Sequence, residues 1–259
     1  LNALLPLLDE LSLTVTSSEG FVIPALAIAG TTDEASWPGV AAGAYWEFPV
    51  ATPSELYAAS MMLTNSGSAP VTALIDVFTA SGATPDAREV EVAPGIPSRV
   101  DLSDLADGAL GIRVRASGAV AAAVVAEEST AVLVPSDEEG EIDGPEGELG
   151  DRIAGTIGIS APARQWLLPG LQAVPETGTT AWILNTGDAA ATVTLQPLGV
   201  RELAASKQVV PAGAVLGIPL EPDLAVGGFS VESSAPVSIA WSAESETGLM
   251  FVTGTVVGD

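Results

Sequence analysis

The stretch Leu63-Thr64-Asn65-Ser66-Gly67 recurs 120 positions later as Ile183-Leu184-Asn185-Thr186-Gly187. Each copy is an apolar run that ends in Asn-x-Gly. These residues favour turns, because an Asn side chain can cap its own turn and Gly accepts a positive φ. Alternating apolar residues resume after each turn, at Val71 and at Thr192. The pattern predicts two copies of a strand–turn–strand motif, in which Asn65 and Asn185 are structural rather than catalytic.

Further matches in the same order extend the repeat in both directions. Upstream, the Trp-x-x-Pro segment at residues 46–49 lies over the one at residues 166–169. Downstream, the Val-Ala-Pro segment at 92–94 matches Val-Val-Pro at 209–211, and later matches keep this spacing of 117. An internal repeat of this length has to be recognised first, because it determines the whole fold.

The repeat predicts four segments. Residues 44–134 and 164–259 form two modules, and residues 135–163 form an acidic linker rich in Gly and Pro. Residues 1–43 are interpreted as the C-terminal half of a preceding module plus a connector. Because half a sandwich exposes unpaired strand edges, either upstream chain completes it or it docks on the first full module.

The apolar residues lie in short β-branched runs, such as 71–78, 119–125, 192–198 and 236–241. Turn-forming residues interrupt these runs about every 8–12 residues, which is typical of an all-β sandwich or barrel. No long apolar period of 3.6 residues is present. The predicted fold class is all-β, with tandem immunoglobulin-like or fibronectin-like antiparallel β-sandwich modules of about seven strands each.

Composition excludes several classes of function. The chain has no Cys and no His, so it offers no thiolate nucleophile and none of the usual general bases or transition-metal ligands. Its net charge of −25 disfavours nucleic acids and anionic membranes, which bind clustered Lys and Arg. No apolar run reaches the roughly 20 residues that span a membrane. We predict no catalytic residues and no cofactor.

The most acidic stretch is residues 137–151, which carry eight acidic and no basic side chains among five Gly and Pro residues. This composition predicts a solvated connection rather than a packed element. The functional alternative is a weak calcium site, because Ca²⁺ prefers oxygen ligands on Gly-rich loops. The candidate ligands are Asp137, Glu139, Glu141 and Asp143, although the spacing lacks the Gly and the Glu of an EF-hand.

Paired carboxylates are the one enzymatic option left by the composition, since glycoside hydrolysis needs two Asp or Glu at a set separation. Candidate pairs lie at equivalent positions, Glu127 with Glu128 and Glu244 with Glu246. Neighbours on a strand point to opposite faces, so only Glu244 and Glu246 could face one substrate. Both pairs are explained more simply as solvent-exposed glutamates at the ends of strands.

Tryptophans are the candidates for binding a sugar without hydrolysing it, because an exposed ring can stack on a pyranose. Trp46 and Trp166 open the two modules, and the simpler explanation is that they close one end of each sandwich. Trp37 has no counterpart in the repeat, and we therefore expect it to be the better candidate for an exposed aromatic ring.

The succession of Trp-x-x-Pro, a strand ending in Asn-x-Gly, then Val-Ala-Pro-Gly or Val-Pro-Ala-Gly, then a Gly-x-x-Val strand resembles a family of secreted actinobacterial proteins of unknown function. The resemblance implies tandem modules behind an N-terminal export signal or anchor, expected upstream of Leu1, and it implies no catalytic residues. We therefore expect a structural or binding scaffold outside the cell or in its envelope, whose partner is a protein or a glycan. A carbohydrate-binding module is the first alternative and a glycosidase the second.

Overall fold

The computed structural model describes residues 15, 17–19, 24–29, 34–54, 56–128, 152–170, 178–199, 204–221, 227–245 and 248–257. Within these ranges the regular secondary structure consists of strands that pair antiparallel, which confirms the all-β prediction. The described ranges hold no helix that could cross a membrane. Two large strand networks and one hairpin account for the elements.

The first network, unit 1, is built around one strand of 19 residues. Its strands are β3 (Gly43–Thr52), β4 (Tyr57–Thr64), β5 (Val71–Thr79), β6 (Gly82–Val92), β7 (Ser98–Asp101), β8 (Leu110–Glu128) and β9 (Ile153–Ile157). The first half of β8 pairs with β3 and β5, and its second half pairs with β4 and β9. Strand β8 therefore passes from one half of unit 1 to the other.

Residues of β8 alternate between buried and half-exposed at both ends, and this alternation breaks around residues 115–119. At the break, a Cβ on Gly118 would lie 2.9 Å from Cγ2 of Val71, so only glycine lets the two strands approach. Apolar side chains from both halves, including Phe48, Met61 and Ile112, form one continuous core. This arrangement is consistent with a β-sandwich.

The second network, unit 2, has the same plan around β15. Its strands are β10 (Ala163–Leu168), β11 (Gly178–Asn185), β12 (Ala191–Pro197), β13 (Ser206–Val210), β14 (Ala214–Leu220), β15 (Phe229–Ser245), β16 (Gly248–Thr253) and β17 (Thr255–Val256). The first half of β15 pairs with β10 and β12, and its second half pairs with β11 and β16. A second core, around Trp166, Ile183 and Trp241, fills it.

Asn65 and Asn185 cap their turns as predicted. The side-chain oxygen of Asn65 accepts a hydrogen bond from the backbone NH of Gly67 (2.8 Å), and Asn185 does the same with Gly187 (3.1 Å). The expected reason for the glycines is wrong, because neither has a positive φ. Instead, a Cβ on Gly67 would lie 3.0 Å from the Asn65 side-chain oxygen and one on Gly187 3.2 Å from that of Asn185, so the capping amide disfavours a larger residue there.

Trp46 and Trp166 lie in the two cores and are almost fully buried. Each indole NH donates to the carbonyl three residues earlier and to a carbonyl of the long strand: Trp46 to Gly43 and Val120, Trp166 to Ala163 and Val237. Both strands also shift register beside the ring. The tryptophans are therefore buried core residues, and their closing of one end of each sandwich stays a prediction.

Trp37 is buried, so the expectation of an exposed ring is wrong. It lies on β2 (Glu34–Pro38), which pairs with β1 (Ala25–Ala29) in an N-terminal hairpin. A Cβ on Gly155 would lie 2.2 Å from the indole, so the ring sits directly over that glycine of β9. Ala35 and Ile153 complete the cluster. The N-terminal segment is expected either to be completed by upstream chain or to dock on the first module. The described hairpin docks on unit 1.

The predicted linker 135–163 is wrong at its C-terminal end. Residues 153–157 form β9, whose side chains are largely buried and which pairs with β8. The acidic composition predicts a linker over this whole segment, but the acidic residues end at Asp151. The short apolar run that follows Asp151 forms the strand that pairs with β8. The connection between the units is the shorter stretch 158–162, whereas residues 129–151 join two paired strands of unit 1. Residues 135–151 of the predicted linker lie outside the described residues.

Candidate functional site

The two units meet in an extensive boundary. Strands β11, β14 and β15 lie against β3 and β5. Apolar side chains of unit 2, including Trp182, Leu184 and Phe251, belong to the same continuous core as unit 1. A Cβ on Gly111 would lie 3.1 Å from Leu184 Cδ1 and 3.4 Å from Val215 Cβ, so these two side chains pack directly on the Gly111 backbone. The units share a packed interior.

A fully buried carboxylate, that of Glu47, lies in this boundary. One oxygen accepts hydrogen bonds from Thr186 Oγ1 (2.7 Å) and from the Tyr45 hydroxyl, and the other accepts one from the Ser238 hydroxyl. Burial and the negative charge of Glu47 raise the pKa of Tyr45 to about 12, so this phenol stays a donor at neutral pH. Two of the three donors come from unit 2, which makes Glu47 a polar link between the units.

A second buried carboxylate, Asp76, lies beside the boundary in unit 1. It pairs with Arg113 (Nε to Oδ2, 2.6 Å) and with Arg115 (Nη2 to Oδ1, 2.8 Å), and it accepts the backbone NH of Asp86 (2.8 Å). Burial alone would raise the pKa of Asp76, but the hydrogen bonds from Arg115, Asp86 and Arg113 outweigh it and lower the pKa to about 2. Asp76 is therefore charged across the physiological range.

Arg113 extends this network across the boundary. Its Nη1 donates to the backbone carbonyl of Thr186 (3.4 Å), and its guanidinium lies 5.3 Å from the centre of the Phe78 ring. Since Thr186 also donates to Glu47, one residue of unit 2 is held by two residues of unit 1. The boundary thus combines apolar packing with a connected set of hydrogen bonds.

At the other end of the boundary, Arg152 joins three strands. It forms ion pairs with Glu128 of β8 and with Glu244 of β15 (2.7 Å), and it donates to the carbonyl of Ser245 (3.1 Å). Its guanidinium lies 5.5 Å from the centre of the Tyr57 ring. The hydrogen bond to Glu128 raises the pKa of Arg152, and burial raises that of Tyr57. The arginine is a permanently charged clamp between the units.

Beside this arginine the boundary opens into a cleft of about 390 Å³. Unit 1 contributes Pro53 and Arg152, and unit 2 contributes Thr180, Trp182, Ser242 and Glu244. The Trp182 indole NH donates to Ser242 Oγ (2.8 Å), which fixes the ring. A Cβ on Gly217 would lie 2.6 Å from that ring, so the ring also packs flat on β14. The Trp182 wall of the cleft is therefore held in place by both contacts.

The residues predicted as sites have different places in the structure. Trp37, Trp46 and Trp166 are all buried and leave no ring face for a sugar. Glu128 and Glu244 both pair with Arg152. Glu246 and the calcium candidates Asp137, Glu139, Glu141 and Asp143 lie outside the described residues. Within the described ranges, no cluster of three acidic side chains could hold a metal ion.

Sequence reasoning missed Glu47 and Arg152, which link the units, and Asp76, which lies beside the boundary. Each had a local signal. Glu47 is a charge within the apolar strand 46–50, Asp76 interrupts the apolar run 71–78, and Arg152 is the first base after the acidic stretch. A lone charge in a buried strand requires a partner, because an unpaired buried charge is very costly. The sequence does not reveal which partner that is.

Comparison with known proteins adds little on function. Residues 38–140 match a family of unknown function, DUF5719. No curated protein matches the chain. Among solved structures, the crystal structure of Thermotoga maritima 1070 is similar over 45% of this chain and 93% of that chain, with 15% sequence identity and a TM-score of 0.33. The family match supports the expected resemblance to proteins of unknown function, whereas actinobacterial origin and secretion stay predictions.

Proposed function

We propose that this chain is a non-catalytic structural and binding scaffold of the extracellular space or cell envelope, in which two β-sandwich modules of immunoglobulin-like or fibronectin-like type form one stiff body. The observation that carries the proposal is the boundary around Glu47. A flexible pair of domains would meet through a small, wet contact. Here a fully buried carboxylate of one unit depends on hydroxyls of the other.

Matching hydrogen bonds support the idea that the two modules are repeats. The capping asparagines bond alike, with Asn65 donating to Ala69 and Val92 and Asn185 to Ala189 and Val210. Ser117 accepts the backbone NH of Thr72 (3.0 Å), and Ser234 accepts that of Thr192 (2.9 Å). These bonds join positions that the sequence repeat aligns, except that the acceptor Val210 lies one position beyond the residue aligned with Val92. Shared polar contacts of this kind favour duplication of one module.

The environment of the described carboxylates supports a non-catalytic role. A glycosidase needs one carboxylic acid that can protonate the leaving group and a second carboxylate free to act as nucleophile or base. Glu128 and Glu244 are both engaged by the same guanidinium, and Asp76 is held by two arginines. Glu47 is closed off from solvent. These carboxylates are therefore engaged in structural ion pairs or, for Glu47, in buried hydrogen bonds.

The double variant Thr186→Val/Ser238→Ala tests the stiff-body proposal by removing both unit 2 donors to Glu47. The parent should melt in one calorimetric transition. The double variant should melt at lower temperature and in two transitions, because an unsatisfied buried charge costs about 1–3 kcal/mol or more per lost partner. The matched control is Thr194→Val/Ser230→Ala, which makes the same changes on the outward face of β12 and β15.

Two independent transitions in the parent, or equal effects of the two double variants, would refute the stiff body. The non-catalytic part is tested separately with neutral and acidic polysaccharides. Hydrolysis by the parent that disappears in Glu244→Gln would overturn it.

A further inference from the structure

The cleft at Arg152 has a composite construction. Its floor is the outer face of the sheet in unit 2, where Thr180 on β11 lies directly opposite Ser242 on β15. Its wall is Pro53 and Arg152 of unit 1. A volume of about 390 Å³ falls in the lower part of the range typical of small-molecule sites, about 300–1,000 Å³. Because both units contribute, the cleft exists only when they are docked.

The charges in the cleft select against anions. Arg152 is the cation of this cluster, and Glu128 and Glu244 both pair with it, so the cluster carries one net negative charge. The chain as a whole carries −25. A phosphate or carboxylate ligand would have to compete with two carboxylates already bound to the guanidinium. A neutral ligand avoids this competition.

The cleft contains both hydrogen-bond donors and acceptors, and some of them have no partner within the part of the chain that the structure describes. Arg152 Nε is buried and has no hydrogen-bond partner among the described residues, so it is a donor that needs an acceptor. Ser242 accepts the indole NH of Trp182 and keeps its own proton to donate. Thr180 can donate or accept, and Glu244 accepts. Donors and acceptors therefore line the same cleft, with Trp182 and Pro53 as its apolar groups.

We propose that this cleft binds a neutral, hydroxyl-rich ligand, a mono- or disaccharide unit. Each sugar hydroxyl is both a donor and an acceptor, so one hydroxyl can accept from the guanidinium while it donates to the carboxylate of Glu244. Trp182 contributes a rigid apolar wall and not an exposed stacking surface, because it is itself buried. This ligand site does not depend on the scaffold being secreted, and it lies away from Trp37, Trp46 and Trp166.

The test uses the full chain and isothermal titration with neutral oligosaccharides of glucose, mannose, galactose and arabinose, and with uronic acid oligomers of matched length. The parent should bind at least one neutral oligosaccharide and bind the uronic acids more weakly. Thr180→Val removes one hydroxyl from the cleft floor and should weaken binding about fivefold, the loss of one neutral hydrogen bond. Thr194→Val, the same change on the outward face of β12, should leave binding unchanged.

Three results would overturn the proposal: no binding of any neutral oligosaccharide, tighter binding of the uronic acids, or equal affinities for the parent and Thr180→Val. If Thr180→Val does not fold, Ser245→Ala at the rim of the cleft replaces it, with the same expected loss. Calorimetric melting of the parent distinguishes a failure of the ligand-site proposal from a failure of the stiff-body proposal. If the parent melts in a single transition but binds no sugar, only the ligand-site proposal is wrong.

Discussion

Replacement of Asn65 by alanine should destabilise the protein far more than a turn residue ordinarily would. The Asn65 amide donates to the carbonyls of Ala69 (2.8 Å) and Val92 (3.0 Å) and accepts the NH of Gly67 (2.8 Å). The side chain is almost fully buried, so water cannot replace these bonds. With about 1 kcal/mol for each lost bond, the expected cost is about 3 kcal/mol.

This cost can be measured by chemical denaturation, with the free energy of unfolding extrapolated to water. In calorimetry it corresponds to a Tm about 6–12 °C lower, by the usual scaling for chains of this size. Ser66→Ala, at the exposed next position, is the control and should change stability by less than about 0.5 kcal/mol. Asn65→Asp keeps the acceptor and loses both donors, so it should be no better than alanine.

The equivalent substitution in unit 2 makes the test stricter. Asn185 has the same bonds and one more, to the carbonyl of Pro211 (3.0 Å), so Asn185→Ala should cost at least as much as Asn65→Ala. The reasoning is refuted if Asn65→Ala and Ser66→Ala are equally stable, or if Asn185→Ala costs less than about 1 kcal/mol. Either result would mean that the turns are held by strand pairing alone.

Two further predictions concern Asp76 and Gly155. The folded-state pKa of Asp76 is lowered from an ordinary 3.8 to about 2, so its stabilising effect is complete above pH 4 and is lost as the pH falls towards 2. Over that window the parent should lose about 2 kcal/mol more stability than Asp76→Asn, measured by denaturation at each pH, and parallel curves would contradict the ion-pair account. Gly155→Ala places a Cβ 2.2 Å from the Trp37 ring and should release the N-terminal hairpin, seen as faster proteolytic cleavage there. Gly178→Ala, whose nearest neighbour would be 3.9 Å away, is the control, and equal cleavage of the two variants would refute the docking of Trp37.

The sequence predicts the strands well because their signals are local. The run 71–78 becomes β5, and the turn that precedes it is capped by Asn65 as expected. The burial of Trp37 could not be predicted, because the ring covers a glycine more than a hundred residues away. The same holds for Glu47, whose partners Thr186 and Ser238 are 139 and 191 residues distant. Alternation and turn residues encode strands, but they contain no information on which outer faces meet.

Glycine at positions 67 and 187 shows a subtler difference between the sequence and the structure. From the sequence, glycine is expected at these positions because its backbone can adopt a positive φ. In the structure a Cβ at either glycine would crowd the capping amide, so limited space and not φ disfavours a side chain. The Asn and the Gly of the Asn-x-Gly motif are therefore linked by a contact with each other, instead of favouring the turn independently.

The pairing of β8 with β9 makes residues 129–151 an insertion within a hairpin. The backbone NH of Glu128 donates to the carbonyl of Arg152 (3.0 Å), and the two side chains form an ion pair, so both ends of the insertion are fixed. In unit 2 the equivalent strands are joined by residues 246–247 alone. Loop-closure entropy grows only with the logarithm of length, so the longer connection costs about 2 kcal/mol more to close. The length and charge of this segment can therefore vary almost independently of the two cores, and the same position should accept a peptide tag or a labelling sequence without disturbing the fold.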